Sequence, residues 1–193
     1  MNDIENIKLP AILPEIQAAT DVLGFRLSCE KLTGVLLRSL AATKPGGMFL
    51  ELGTGTGVST AWLLDGMDRN SKLITVEQNT SVVAIAQKYL GNDPRVTFHI
   101  GDASLLISDT PPLSFDFIFA DAWTGKYSHL SETLKLLKVG GIFVIDDMVP
   151  HENWPENHAP KVSELIGHLE ERNDLAIAKL SWSSGIIIAA KIA

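Results

Sequence analysis

Three alternating glycines follow a short apolar run in the first third of the chain. Gly53, Gly55 and Gly57 come directly after Met48–Leu52 and precede the start of a helical pattern at Val58. Glycine lets the backbone turn tightly and approach a ligand that any Cβ would obstruct. Ligands of open α/β sheets bind outside the carboxyl ends of the strands, where this turn is expected. The spacing therefore predicts a cofactor-binding turn.

The residues around this turn indicate which class of cofactor it binds. A dinucleotide fingerprint has a third glycine where this chain has Val58, and no Gly-Lys-Ser/Thr of a phosphate-binding loop follows. Glu51, just before the glycines, would repel a pyrophosphate but attract a cationic amino group. Glu77, 20 residues after Gly57, stands where an acid accepts both ribose hydroxyls. Together, Glu51, the three glycines and Glu77 suit a cofactor that is a nucleoside carrying an amino acid.

Further acidic residues follow the later predicted strands. Asp102 follows the third strand and suits an adenine amino group, although it equally suits a helix cap. Asp121 ends the fourth strand, and Asp146 and Asp147 end the fifth. If these two strands are neighbours, about 5 Å apart, the three carboxylates converge. They would then need shifted pKa values or a cation, for which oxygen ligands favour Mg²⁺, Ca²⁺ or Mn²⁺. The alternative is that they solvate a loop and cap a helix.

The elements that must position these residues follow from alternating apolar runs and helical patterns, which predict an α/β fold with a parallel sheet. The runs predict strands at Met48–Leu52, Lys72–Glu77, Arg95–Ile100, Phe115–Ala120 and Gly141–Ile145. Two last runs, Leu175–Leu180 and Gly185–Ile192, flank a turn and predict an antiparallel hairpin.

Helical patterns lie between the predicted strands. One has its apolar stripe at Tyr127, Leu130, Leu134 and Leu137, and another repeats from Val162 to Leu169. Upstream, Ser28 is predicted to cap a helix that carries Leu32, Val35, Leu36 and Leu40. Residues 1–25 are predicted to be a short, weakly patterned leader.

Length and composition narrow the class of protein. With 193 residues, of which 46% are hydrophobic and 20% charged, the chain fits a single globular domain, 1–193. The net charge of -7 makes nucleic acid an unlikely partner and anionic lipid a poor one. The single cysteine, Cys29, and the absence of a long apolar run predict a cytoplasmic protein that does not span a membrane.

Five segments carry a resemblance to a known family: FLELGTGTGVST, LITVEQN, VTFHIGDA, FDFIFADAW and LLKVGGIFVIDDM. They resemble the S-adenosylmethionine-dependent methyltransferases of the Rossmann-like class, and within it the catechol and caffeoyl-CoA O-methyltransferases. The resemblance implies a three-layer sandwich with a mostly parallel, seven-stranded sheet. It also implies S-adenosylmethionine as cofactor and a divalent cation such as Mg²⁺.

Cofactor-binding residues are carried over by position in these segments. Glu51, Gly53 and Ser59 would hold the methionine portion, Glu77 the ribose, and Asp102 with Ala103 the adenine. Trp123 would lie beside the adenine ring. The cofactor-binding residues so predicted are Glu51, Gly53, Gly55, Gly57, Ser59, Glu77, Asp102, Ala103, Asp121 and Trp123.

Metal and catalytic residues follow from the same resemblance, with two departures. Asp121, Asp146 and Asp147 would bind the cation, which would hold the acceptor oxygen and lower its pKa. This chain has Asp147 where the family has asparagine, and Thr124 where it has a catalytic lysine. Lys126, two residues further on, could reach the same space, so the predicted catalytic residues are Asp121 and Lys126.

The predicted function is therefore O-methylation of a small aromatic or hydroxylated acceptor. The alternatives are a metal-independent methyltransferase acting on nitrogen or an RNA base, and a cofactor-binding module without catalysis. A nucleotide-dependent oxidoreductase is disfavoured by Val58. His151, Trp154 and His158 either grip an aromatic acceptor or serve packing and solvation. A homodimer is left open beside a monomer.

Overall fold

The computed structural model describes residues 2–150, 154 and 157–193. Its strands are β1 Met48–Leu52, β2 Lys72–Glu77, β3 Val96–Ile100, β4 Phe115–Ala120, β5 Leu137–Ile145, β6 Leu175–Leu180 and β7 Ile186–Lys191. Its helices are α1 Leu13–Leu23, α2 Lys31–Ala41, α3 Val58–Gly66, α4 Thr80–Leu90, α5 Ala103–Asp109, α6 Leu130–Leu136 and α7 His158–Glu170.

The strands form one mixed sheet in the order β3-β2-β1-β4-β5-β7-β6. The five strands β1 to β5 run parallel, and β7 pairs antiparallel with both β5 and β6. The sheet order reverses between β1 and β4, which creates a crevice at their carboxyl ends. The predicted α/β Rossmann-like fold with a terminal hairpin is confirmed.

Apolar side chains on both faces of the central strands hold the sheet between two helical layers. In β4, Phe117 and Phe119 pack in one core cluster with Trp62 of α3, whereas Ile118 and Ala120 pack in the other. Successive side chains of a strand point to opposite faces, so a strand covered on both faces must be apolar throughout. The rigid centre of the sheet thus fixes where β1 and β4 end.

Three predicted elements differ from the structure. The predicted leader contains α1, of which Leu13 and Ile16 are buried. The N-cap of α2 is Glu30, with no side-chain cap bond, so the prediction that Ser28 caps this helix is wrong. The helix predicted through Leu137 ends at Leu136, because Leu137 already pairs with Phe115 of β4.

Membrane insertion finds no support in the described ranges. None of their helices combines the length and the apolar character that crossing a bilayer requires.

Candidate functional site

The glycine turn between β1 and α3 has a backbone that favours glycine at each predicted position. Gly53, Gly55 and Gly57 have φ values of 103°, 55° and 92°. The amides of Gly53 and Thr54 both donate to the carbonyl of Val76, each at 3.0 Å, which ties the turn to β2. The turn is therefore held rigidly at the carboxyl end of the sheet.

A cavity of about 400 Å³ opens beside this turn, at the point where the sheet order reverses. Its wall contains the predicted cofactor residues Gly53, Gly55, Ser59, Glu77, Asp102, Ala103, Asp121 and Trp123. These residues come from four different strand ends, separated by up to 70 residues of chain. The fold brings eight of the ten residues predicted to bind the cofactor to one surface.

Glu77 links the glycine turn to the next helix. Its Oε2 accepts from the Gly55 amide and its Oε1 from the Asn79 amide, both at 3.0 Å. Each carboxylate oxygen can accept a second hydrogen bond, so Glu77 keeps acceptor capacity toward the cavity. Asp102 accepts from the Ser104 amide at 2.8 Å, which makes it the cap of α5 as well as a cavity residue.

The other two predicted residues, Glu51 and Gly57, do not line the cavity. Glu51 is fully buried beneath it. The Glu51 Oε2 atom accepts from the hydroxyls of Thr60 at 2.6 Å and Thr75 at 2.5 Å. Its Oε1 atom is buried without a hydrogen-bond partner among the described residues. Burial raises the pKa of Glu51 to about 7, although hydrogen bonds from neighbouring hydroxyls oppose the shift.

A tight turn after β4 sends two candidate residues in different directions. The carbonyl of Trp123 accepts from the amides of Lys126, Tyr127 and Ser128. This turn brings Thr124 to the wall of the large cavity. Lys126 does not line that cavity but a smaller one of about 60 Å³. The catalytic role of Lys126 stays a prediction: its side chain lines the smaller cavity, and its Nζ donates to the backbone carbonyl of Asp146 at 2.7 Å.

The three predicted metal ligands lie in the same region but differ in their surroundings. Burial raises the pKa of Asp121 well above its usual value, and the charge of Asp146 adds to the shift. Burial also raises the pKa of Asp146 to about 6, against hydrogen bonds from Ser184 and the Asp147 amide. Within the part of the chain that the structure describes, no three His, Cys, Asp or Glu side chains form a group able to hold a metal ion.

Asp147 has a backbone conformation that is uncommon for any residue other than glycine, with a φ of 63°. Its Oδ1 accepts from the Trp154 indole at 2.7 Å, and its Oδ2 lies 3.6 Å from the His158 Nε2. The His158 ring stacks on Trp154 at 4.1 Å and meets the Tyr127 hydroxyl at 2.7 Å. Trp154 and His158 thus form an aromatic cluster around Asp147, whereas His151 lies outside the described residues.

Sequence reasoning missed two groups of residues near the site. Phe25, Leu27 and Cys29, which precede α2, line the large cavity, yet no periodic pattern marks this segment. Ser184 donates to the Asp146 Oδ1 from the turn between β6 and β7. Its partner lies 38 residues away in the chain, so only the tertiary structure reveals the contact.

Comparison with known proteins agrees with this geometry. A family model described as a methyltransferase domain matches residues 50–148, just over half of the chain. Putative O-methyltransferases of Mycobacterium ulcerans and Mycobacterium marinum are each 32% identical over 117 residues, which covers 58% of this chain. That match covers 52% of each relative, so the chain spans about half the length of the curated proteins it matches.

Solved structures support the same fold over nearly the whole chain. The O-methyltransferase TomG from Streptomyces achromogenes, in complex with SAM, has a TM-score of 0.82 and 24% identity, with 98% of this chain and 93% of that chain covered. An O-methyltransferase from Bacillus cereus, in complex with SAH, has a TM-score of 0.83 and 21% identity, with 98% and 94% covered. The family match spans the glycine turn and the acidic residues at the ends of β2, β3, β4 and β5, and the chain belongs to the methyltransferase domain family.

Proposed function

We propose that this chain binds S-adenosylmethionine in the large cavity and transfers its methyl group to an oxygen atom of a small acceptor. One observation carries the proposal. The glycine turn, Glu77, Ala103 and Trp123 line a single cavity at the point where the sheet order reverses. Such crevices are where open α/β sheets bind their ligands.

The polar groups around the cavity suit this cofactor better than a dinucleotide. A buried carboxylate oxygen without a partner is costly, and Glu51 has one such atom next to the glycine turn. An ammonium group is a donor of the right charge for it, whereas a pyrophosphate is not. Glu77 offers acceptors for the ribose hydroxyls, and the Trp123 ring, 45% exposed, offers a face for adenine.

When bound, S-adenosylmethionine supplies an electrophilic methyl group on a sulfonium. The chain's own contribution is then to bind, to orient and to exclude water. Asp121 lies in the cavity wall, and its raised pKa makes it a stronger base than an ordinary aspartate. We propose that Asp121 is the base that takes up the proton released by the methyl acceptor. The names of the 32% identical relatives support oxygen as the atom that is methylated.

The sequence also predicts that a divalent cation assists the transfer. The described residues do not fit such a cation. Asp147 is engaged by Trp154 and His158, and Asp146 accepts from Ser184 and from the Asp147 amide. Among the described residues, no three His, Cys, Asp or Glu side chains form a group able to hold a metal ion. We therefore derive no step of the transfer through a metal. The homodimer stays a prediction.

A cofactor-binding module without catalysis is the second candidate, and Thr124 is the observation that favours it. Thr124 lines the cavity at the position where the family has its catalytic lysine. A threonine hydroxyl is not a base at neutral pH. If Asp121 does not take the acceptor proton, binding without turnover results.

Calorimetric titration with S-adenosylmethionine tests binding, and an assay across phenols, catechols and amines tests transfer. Replacing Glu77 by alanine should weaken binding at least tenfold, since hydrogen bonds to a charged group contribute about 1.5–3 kcal/mol. Asp109→Ala, an exposed acid at the end of α5, is the matched control and should bind as wild type does. No binding by wild type would refute the proposal, and binding without methylation of any acceptor would favour the module.

A further inference from the structure

The wall segment, residues 25–29, joins α1 to α2 and forms one side of the large cavity. Four of its residues line the cavity: Phe25, Leu27, Ser28 and Cys29. The backbone groups of residues 26–29 form no hydrogen bond with other backbone groups in the described part of the chain. A segment without such bonds has low local stability, so its position depends on what holds its two ends.

The two ends of the wall segment are held in different ways. At the α1 end, the Phe25 amide donates to the carbonyl of Thr20 at 3.2 Å. At the α2 end, the N-cap residue Glu30 makes no side-chain cap bond to its own helix. Its Oε2 instead accepts from the Ser183 hydroxyl at 2.8 Å, in the turn between β6 and β7. This second anchor joins residues that are 153 positions apart in the chain.

Two further hydroxyls extend this anchor as far as the sheet. Thr33 in α2 is completely buried, and its Oγ1 lies 2.9 Å from the Ser183 Oγ and 3.3 Å from the Ser184 Oγ. The Ser184 hydroxyl donates to the Asp146 Oδ1 after β5. Each hydroxyl has one hydrogen, so Thr33 must donate to a serine when both serines donate to carboxylates. A chain of three hydroxyls thus runs from Glu30 to Asp146.

The turn that carries both serines is fixed against the end of β5. The Ser184 carbonyl accepts from the amides of Met148 and Val149 at 3.0 and 2.9 Å. Gly185 has a φ of 84°, and a Cβ there would lie 2.3 Å from the Val149 amide nitrogen. Ser183 has a φ of 56°, which residues other than glycine adopt only where surrounding contacts impose it. The turn is therefore a rigid extension of the sheet.

We propose that Ser183 and Ser184 are positioning residues of the large cavity. They hold Glu30 and Thr33 at the start of α2 and thereby keep the adjacent wall segment in place. Neither serine is among the residues that line the cavity in the described part of the chain, so both act through α2 and not on a ligand. The inference rests on the proposed function only in taking that ligand to be S-adenosylmethionine.

Alkylation of Cys29 by iodoacetamide tests the position of the wall segment without any ligand. Cys29 is the single cysteine of the chain and lies half-buried in the cavity wall, so labelling followed by mass spectrometry reports on this segment alone. The Ser183→Ala, Ser184→Ala double variant should label at least about fivefold faster than wild type, the factor that one lost hydrogen bond represents. An unchanged rate would overturn the proposal.

Two controls separate this effect from a general loss of stability. Ser39→Ala removes an exposed hydroxyl of α2 that donates within the helix, to the Val35 carbonyl. Leu169→Ala removes a completely buried side chain of α7, so it destabilises the fold without changing the hydroxyl chain. Both should label at the wild-type rate at a temperature where they remain folded. Equal acceleration in Leu169→Ala and in the double serine variant would count against the proposal.

Thr33 allows a comparison in which only the hydroxyl is lost. Thr33→Val should accelerate Cys29 labelling and raise the Kd of S-adenosylmethionine by at least about fivefold each. Thr33→Ser keeps the hydroxyl and should stay within about twofold of wild type in both measurements. This pair also decides the question if the double serine variant does not fold. Wild-type values in Thr33→Val would refute the positioning role.

Labelling and binding fail independently of each other. If the wild-type protein does not bind S-adenosylmethionine but Cys29 still labels faster in the serine variant, the proposed function is refuted and the positioning role is supported. If the wild-type protein binds the cofactor and labelling does not change, the positioning role is refuted and the proposed function stands.

Discussion

At the scale of single residues, Glu51 is an acid with no exposed surface that lies beneath the large cavity. Its folded-state pKa of about 7 lies above the ordinary value of 4.5. Between these values the folded protein holds a proton that the unfolded chain has released. The stabilisation is therefore fully present below pH 4.5 and is lost as the pH rises through about 7.

Glu51→Gln removes this titration and gives the first prediction. The free energy of unfolding of wild type, relative to the variant, should fall by about 3 kcal/mol from below pH 4.5 to above pH 7. Urea unfolding at several pH values measures it. Asp109→Asn, at an exposed acid, is the control and should run parallel to wild type. Parallel curves for wild type and Glu51→Gln would contradict the raised pKa.

Gly57 is the glycine of the turn whose space is most restricted. A Cβ there would lie 2.8 Å from the Ala86 Cβ of α4, and the φ of 92° is itself unfavourable for other residues. Gly57→Ala should therefore lower stability by roughly 3 kcal/mol, from about 1–2 for the backbone and a similar amount for overpacking.

Gly46 separates the two causes. Its φ is 69°, but a Cβ there would meet nothing within 4 Å. Gly46→Ala should cost only the backbone part, about 1–2 kcal/mol. Chemical denaturation of both variants measures the difference. If both lose the same amount, contact with Ala86 does not explain why glycine is needed in the turn.

The position of several residues in the wall of the large cavity could be predicted from the sequence, whereas the side-chain partners of Asp146 and Asp147 could not. Gly53, Glu77 and Asp102 each lie at a strand end, and the topology of a parallel sheet brings strand ends together. The partners of Asp147 and Asp146, which are Trp154 and Ser184, depend on side-chain directions that no local pattern encodes. The direction of the Lys126 side chain depends likewise on the turn after β4, in which three amides donate to the carbonyl of Trp123.

At the scale of elements, α1 is part of the core although its sequence pattern is weak. Its buried residues are Leu13, Ile16 and Thr20, so a threonine interrupts the apolar stripe. The exposed Val22 and Leu23 blur the pattern from the other side. The strands were predictable because a sheet covered on both faces requires continuous apolar runs, which loops and amphipathic helices do not need.

A pair of substitutions in α1 tests its contribution. Ile16 is completely buried, whereas Val22, on the same helix, is 92% exposed. Ile16→Ala should lower the free energy of unfolding by about 2–5 kcal/mol, and Val22→Ala by less than about 0.5 kcal/mol. Denaturant titration compares them. A small loss in Ile16→Ala would mean that α1 is an appendage and not part of the fold.

α1 also reaches the glycine turn directly. The Thr20 hydroxyl donates to the Thr56 hydroxyl at 2.8 Å, and both residues are buried. The helix therefore supports the wall of the large cavity from behind. Loss of α1 packing should consequently weaken cofactor binding as well as stability.

At the scale of the whole molecule, the large cavity belongs to no single element. Segments before α2 and after β1, β2, β3 and β4 all contribute to its wall. A ligand that fits this wall binds only the folded chain, so it must stabilise the entire domain. The size of that effect depends on the ligand concentration relative to its Kd, and not on how many residues touch it.

Thermal unfolding with different cofactors therefore distinguishes the classes of ligand. S-adenosylmethionine at 100 times its Kd should add about 2.7 kcal/mol, which raises Tm by about 5–11 °C for a chain of this size. NAD⁺ should give no shift, because Val58 stands where a dinucleotide turn has its third glycine. In Glu77→Ala the shift with S-adenosylmethionine at the same concentration should shrink, since Kd rises. A larger shift with NAD⁺ than with S-adenosylmethionine would mean that the glycine turn serves a dinucleotide after all.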